Sequence, residues 1–239
     1  MDLHAQNFRG RPDPELMEAL QHLSRLNRIF GAARPVLHGV RRLWLAEGKP
    51  KQLTILDAGS GSGDINRTLL AWAERMRLDM RIILSDVTEE AQIEARRLFS
   101  GNPRVEFVRR SLFDLPARYA DIVTASQFAH HFPQEELPGV VLRMLEVSRR
   151  GIVLSDIHRH WLPWAAVWMV TRLVSRNRYV RHDGPLSVAK GFRRADWDQL
   201  SAALGLPGLD VRWRPLFRWV LMLRKPHEPA GGLTHGRSG

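Results

Sequence analysis

The 239-residue chain contains no cysteine, which excludes a disulfide framework, a thiolate metal site and a cysteine nucleophile. That absence fits a reducing cytoplasm. Lysine is scarce too: only Lys49, Lys51, Lys190 and Lys225 stand among 36 basic residues, and the rest are arginines spread over the whole length. The formal charge of +11 would suit a nucleic-acid partner. No cluster concentrates it, so dispersed, solvated arginine without nucleic acid is expected. Long apolar runs are also missing. The longest, Trp161 to Val170, falls short of the roughly 18 residues of a membrane span. The opening MDLHAQNFRGRPDPE lacks the apolar stretch of a secretory signal. The expectation is a soluble, cytoplasmic protein that can touch a membrane peripherally.

What is present describes an ordinary globular chain, 44% hydrophobic and 26% charged, long enough for one domain with an elaboration. Residues 14–46 carry Leu16, Leu20, Leu23, Leu26 and Phe30 at helical spacing, interrupted at Gly31 and Pro35. Residues 1–48 therefore form a helical lead-in. Strand-like runs follow at LTILDA (53–58), RIILSD (81–86), VEFVRR (105–110), DIVTAS (121–126) and GIVLSD (151–156), alternating with helical stretches. This pattern predicts an α/β, Rossmann-like, doubly wound and mostly parallel sheet covered on both faces. The order breaks at 157–191, an insertion dense in tryptophan and arginine, with a turn expected at HDGP. A helix at 195–205 and two strands, LDVRWRP and FRWVLMLRKP, predict an antiparallel C-terminal hairpin. The main domain is thus 49–226, and 227–239 reads as a disordered tail.

The stretch LTILDAGSGSGD, Leu53 to Asp64, joins a strand to a helix through glycines at every second position. Such a turn brings backbone N–H groups close to a ligand. A dinucleotide fingerprint starting at Gly59 would require glycine at 64, where Asp64 stands. Asp57 closes the strand, and a carboxylate there can reach an ammonium group. Asp86, ending the next strand, is placed to accept ribose hydroxyls.

With these residues the chain resembles the class I S-adenosylmethionine-dependent methyltransferases. The match runs through DAGSGSG (Asp57 to Gly63), Asp86, VEFVRRSLFDLP (Val105 to Pro116) and SQFAHHF (Ser126 to Phe132), each at a strand end. It is similar to the ubiquinone/menaquinone-type small-molecule subgroup, some of which serve phenolic or polyketide-derived acceptors, through LNRIFG (26–31) and RHDGPLS (181–187) as well. The resemblance implies S-adenosylmethionine as cofactor, held by Asp57, Gly59, Ser60, Gly61, Gly63, Asp86, Val87, Ser111, Leu112 and Ser126. Ser111 departs from the usual aspartate that accepts from the adenine amino group. A serine hydroxyl can also accept that bond.

The acceptor implied is a small molecule, aromatic or lipidic, methylated at a phenol or hydroxyl. His131, or failing that His130, follows the fourth strand at the crevice and suits a base near neutral pH; His158, after the fifth, is a further candidate. Adjacent residues on a short helix diverge, so at most one of the pair should face the substrate. No third ligand stands near them, so no metal is expected. Trp161, Trp164 and Trp168 share one helical face, read as a lid that gives the acceptor its pocket. Arg28 and Arg159 are candidates to meet an acidic acceptor. Two other classes stay open. An RNA or protein methyltransferase is favoured by the charge, but Ser126 to Ala129 carry no N-P-P-Y-type motif. A non-catalytic S-adenosylmethionine-binding module would regulate a partner.

Overall fold

The computed structural model describes residues 12–174 and 177–225; the tail at 227–239 lies outside the described residues. Asp13 opens the first helix, α1 (Pro14–Ile29), by accepting from Glu15 N at 2.8 Å, with Pro14 in the first turn, where a missing N–H costs nothing. After Gly31, at φ +60°, α2 (Ala33–Ala46) leads into the sheet. The strands β1 (Gln52–Ala58), β2 (Asp79–Asp86), β3 (Val105–Arg109), β4 (Ala120–Ser126) and β5 (Ser148–Ile157) alternate with helices α3 (Asn66–Met76), α4 (Glu89–Leu98) and α5 (Leu137–Val147). Helices α6 (Trp161–Val174), α7 (Arg178–Lys190) and α8 (Arg194–Leu204) follow, then β6 (Leu209–Arg214) and β7 (Arg218–Arg224).

Seven strands form one sheet in the order β3-β2-β1-β4-β5-β7-β6, parallel except for β7 and β6. The strand carrying RWVLMLR is interior, between β5 and β6, and all its residues but the last are buried. Alternate residues feed two cores. Ile55, Ile82 and Val153 meet α2 and α3 on one face, while Leu56, Val123 and Leu154 meet α5 and α8 on the other. Burial on both faces is why these strands read as nearly continuous apolar runs.

The insertion becomes two packed helices, α6 and α7, which with α1 cover the carboxyl ends of the strands. Asn177 accepts from Tyr179 N and Val180 N to cap α7, and its Nδ2 donates to Glu15 O and Glu18 Oε2 on α1, at 2.8 and 2.9 Å. The turn expected at HDGP is absent, for these residues lie inside α7. The cap at Asn177 fixes the helix start upstream. Gly184 lets α6 approach closely, since a Cβ there would meet Thr171 and Val167 side chains at 3.1 and 3.2 Å. Pro185 is carried within the helix although it gives up one backbone bond.

Candidate active site

From Ala58 the chain turns through Gly59, Gly61 and Gly63, whose φ angles are +61°, +53° and +73°. A side chain on Gly59 would overlap the Phe128 ring, and one on Gly63 would lie 2.5 Å from Leu84 Cδ1. Glycine is thus required for close approach as well as for φ. Ser60 N donates to Ser85 O at 3.0 Å, and Gly61 N to Asp86 Oδ2 at 2.9 Å, so the turn is pinned to the end of β2. Asp86 Oδ1 accepts from Thr88 N and Oγ1. Thr88, not Asp86, caps α4.

Beside this turn lies a cavity of about 240 Å³, bordered also by residues of α1, α6 and α7. Of the sequence-predicted residues, Gly59, Ser60, Gly61, Asp86, Ser126, His130 and His131 line it together. Asp57, Gly63, Val87, Ser111, Leu112 and His158 do not. Gly63 is packed against Leu84, Val87 points to solvent and Leu112 is in the core. The Ser111 hydroxyl accepts from Phe113 N at 3.3 Å, capping a short 3₁₀ turn rather than standing free. His158 Nδ1 accepts from Trp213 Nε1 at 3.2 Å, and its ring sits edge-on to Trp219, 5.5 Å away. Burial, together with His160 and Arg193, holds its pKa below the usual histidine value.

Asp57, expected to reach an ammonium group, is turned into the protein. Its carboxylate accepts from Asn66 Nδ2 at 2.6 Å and Thr124 Oγ1 at 3.0 Å, and burial pushes its pKa up to about 6. Its folded pKa therefore lies above the unfolded one. Between roughly pH 4 and 6 the folded state holds the extra proton, so this group's contribution falls as pH rises through that window. Asp57→Asn should raise thermal stability at pH 7, by up to about 3 kcal/mol, and the gain should vanish by pH 4. Thr124 can turn its hydroxyl to Leu56 O, 3.3 Å away, so the variant leaves it a partner. Melting curves showing the variant weaker than wild type at pH 7 would contradict this.

The two histidines differ in their anchoring. His130 is buried: its N–H donates to Asp156 Oδ2 at 3.2 Å and its Nδ1 lies 2.8 Å from Asp156 Oδ1. His130 Nε2 has no hydrogen-bond partner among the described residues. Burial alone would push the Asp156 carboxyl up, but His130 and the Ile157 N–H outweigh it and hold the carboxyl below its usual value. His131 also lines the cavity, its ring centre 4.3 Å from that of His130. The expected divergence of the pair is therefore not seen.

The tryptophan stripe faces away from this cavity. Trp161, Trp164 and Trp168 are 71%, 42% and 41% exposed, while Pro163 and Val167 on the other face of α6 line the cavity. Three polar residues that sequence reading passed over meet at the turn. Gln127 Nε2 donates to Asn27 Oδ1 at 2.7 Å, and Asn27 Nδ2 to Asp64 Oδ1 at 3.2 Å, joining α1 to both strand ends. The signals were Asn27 inside LNRIFG and Asp64 closing the glycine motif. Arg159 pairs with Asp196 at 2.9 Å and is outside the lining, as is Arg28.

The residues present fit S-adenosylmethionine. Gly59, Ser60, Gly61 and Asp86 border the cavity together, and Ser126 Oγ is buried without a partner among the described residues. Residues 55–151 match the family described as a methyltransferase domain. No curated protein matches the chain. Human N-acetylserotonin methyltransferase, crystallised with S-adenosylmethionine, is similar in structure, with a TM-score of 0.60 at 14% identity over 88% of this chain and 56% of that one. Magnesium protoporphyrin IX methyltransferase from Synechocystis, with bound S-adenosylhomocysteine, gives 0.53 at 16% identity over 92% and 90%. An O-methyltransferase family 2 protein from Planctomyces limnophilus, in complex with apigenin, gives 0.52 at 15% identity over 73% and 51%. The chain thus spans about half the length of the first and third. At 14–16% identity the likeness is one of fold. Residues 55–151 thus carry the match to a methyltransferase domain, within a fold shared with methyltransferases of known structure. Among the described residues no helix is long and apolar enough to cross a membrane.

Proposed function

We propose that the chain methylates a small, apolar or aromatic acceptor at a phenol or hydroxyl oxygen, as expected for the ubiquinone/menaquinone-type subgroup. The observation that carries this reading is the His130–Asp156 pair at the cavity, with Nε2 unpartnered. When bound, S-adenosylmethionine supplies an already activated methyl group, which leaves alignment, exclusion of water and one proton to the protein. Gly59, Ser60, Gly61, Asp86 and Ser126 would hold the cofactor, with Asp57 setting the end of β1 through Asn66 and Thr124. Asp156 accepts a hydrogen bond from Nδ1–H, which fixes the tautomer and leaves Nε2 to receive the acceptor's hydroxyl proton. The α6–α7 cover excludes water. A structural neighbour complexed with apigenin supports an oxygen acceptor.

Methyl transfer from labelled S-adenosylmethionine to a panel of small phenols tests the reading. Product from none of them would remove it. Because Val167 lines the cavity and the tryptophans do not, Val167→Ala should raise the acceptor KM. Trp164→Ala should leave it unchanged. A rise confined to Trp164→Ala would restore the tryptophan lid. The outward face of α6, where Arg172 also lies 4.0 Å over the Trp168 ring, suits the headgroup layer of an anionic bilayer. Such contact would deliver a lipidic acceptor. Cosedimentation with anionic vesicles, lost in the Trp161→Ser and Trp168→Ser double variant, is the expected sign.

A further inference from the structure

We propose that Arg218 is an anion receptor within the acceptor cavity and that the acceptor bears a carboxylate. This rests on the methyltransferase reading above and specifies its substrate class. Arg218 opens β7, paired with Ile157 at the end of β5 and with Arg214 on β6. It is only 6% exposed, yet it lines the cavity with His130 and Phe217. Its guanidinium makes no hydrogen bond or ion pair among the described residues. The opposite charge that acts on it is Asp156, whose oxygens already accept from His130 Nδ1, His130 N and Ile157 N. Burial pulls the Arg218 pKa down to about 10, so it remains a cation at neutral pH.

A buried cation with unused donors is costly unless something supplies the missing acceptors. The guanidinium fork offers paired N–H groups that match the two oxygens of a carboxylate better than the single oxygen of a phenolate. The other charges lining the cavity are consistent with this placement. Asp64 and Asp86 stand at the glycine-turn end and would repel an anion there, while Asp183 pairs with His182 at 3.0 Å. Lys190 adds a second cation to the lining. An anionic group on the acceptor therefore goes to the Arg218 end, next to the His130–Asp156 pair, which leaves a hydroxyl elsewhere on the same molecule for His130. The hairpin turn before Arg218 contributes to the same wall. Leu216 and Phe217 both line the cavity with φ of +65° and +54°, a conformation that non-glycine residues adopt only where the surroundings enforce it.

The test is binding of hydroxybenzoates and their methyl esters to the protein saturated with S-adenosylhomocysteine, measured by calorimetry on wild type, Arg218→Met and Arg218→Lys. At least one hydroxybenzoate should bind wild type ten-fold or more tighter than its ester. Arg218→Met should abolish that preference and Arg218→Lys should keep part of it, with S-adenosylhomocysteine affinity unchanged in both as a check on the fold. Acids that bind wild type no better than their esters, or a preference that survives in Arg218→Met, would overturn the receptor. Methyl transfer to neutral phenols would then leave the methyltransferase reading intact. Loss of S-adenosylhomocysteine binding by wild type would instead strike at that reading.

Discussion

His130→Asn is expected to lower kcat by about 10²–10⁴-fold while leaving S-adenosylmethionine affinity unchanged. Asparagine is the informative replacement because its amide can still donate to Asp156 Oδ1, the partner of His130 Nδ1 at 2.8 Å. Alanine would leave a buried carboxylate without its main partner and confuse loss of chemistry with loss of fold. The deficit should be largest below the acceptor's own pKa, where the hydroxyl must surrender its proton to the enzyme. Above that pKa the ionised acceptor needs no base and the variant should recover. His131→Asn should cost far less, because His131 is not the histidine that Asp156 holds. Steady-state kcat against pH for both variants decides between them. A large loss in His131→Asn with none in His130→Asn would overturn this assignment and give the proton to His131.

Gly59→Ala should nearly abolish cofactor binding. The new methyl group would overlap the Phe128 ring, which cannot move away cheaply because it packs edge-on against Phe132 with centroids 5.0 Å apart. The backbone, at φ +61°, adds the left-handed penalty of about 1–2 kcal/mol, and overpacking typically adds about 1–3 kcal/mol. Part of that strain lowers stability and part displaces the turn that lines the cavity. Gly48→Ala is the control. It has a similarly positive φ of +74° with nothing within 4 Å of the added methyl, so it reports backbone strain without overlap. Equal cofactor affinity in the Gly59 and Gly48 variants would show that the turn does not touch the ligand.

Much of this architecture was legible in the sequence because its signals are local. Five near-continuous apolar runs mark strands buried on both faces, and each strand end carries its own polar motif. The antiparallel hairpin was readable from the missing helix between its strands. What escaped depends on contacts distant in sequence. Spacing put Trp161, Trp164 and Trp168 on one helical face, but which face packs inward was set by Val167 and Thr171 meeting Gly184 on α7. The HDGP stretch carries turn chemistry, overridden by the Asn177 cap and by packing against α6. Adjacent histidines look equivalent until Asp156, 26 residues downstream, selects one. Arg218 resembles any other arginine of an arginine-rich chain, and only its pairing with the end of β5 buries it. Asp57 was read at the right turn, but Asn66 and Thr124 draw its carboxylate inward.

The central claim is that the ends of β1 and β2 hold S-adenosylmethionine beside the histidine pair. Isothermal titration of S-adenosylmethionine into wild type and Asp86→Ala tests it most directly. Asp86 borders the cavity and fixes the glycine turn by accepting from Gly61 N, so its loss removes both a ligand acceptor and the anchor of the cradle. Wild type should bind one equivalent, and Asp86→Ala should bind more weakly by about 1–3 kcal/mol, the scale of polar groups left unpaired. Equal affinity in the two proteins, or binding of a nicotinamide dinucleotide with none of S-adenosylmethionine, would contradict the account.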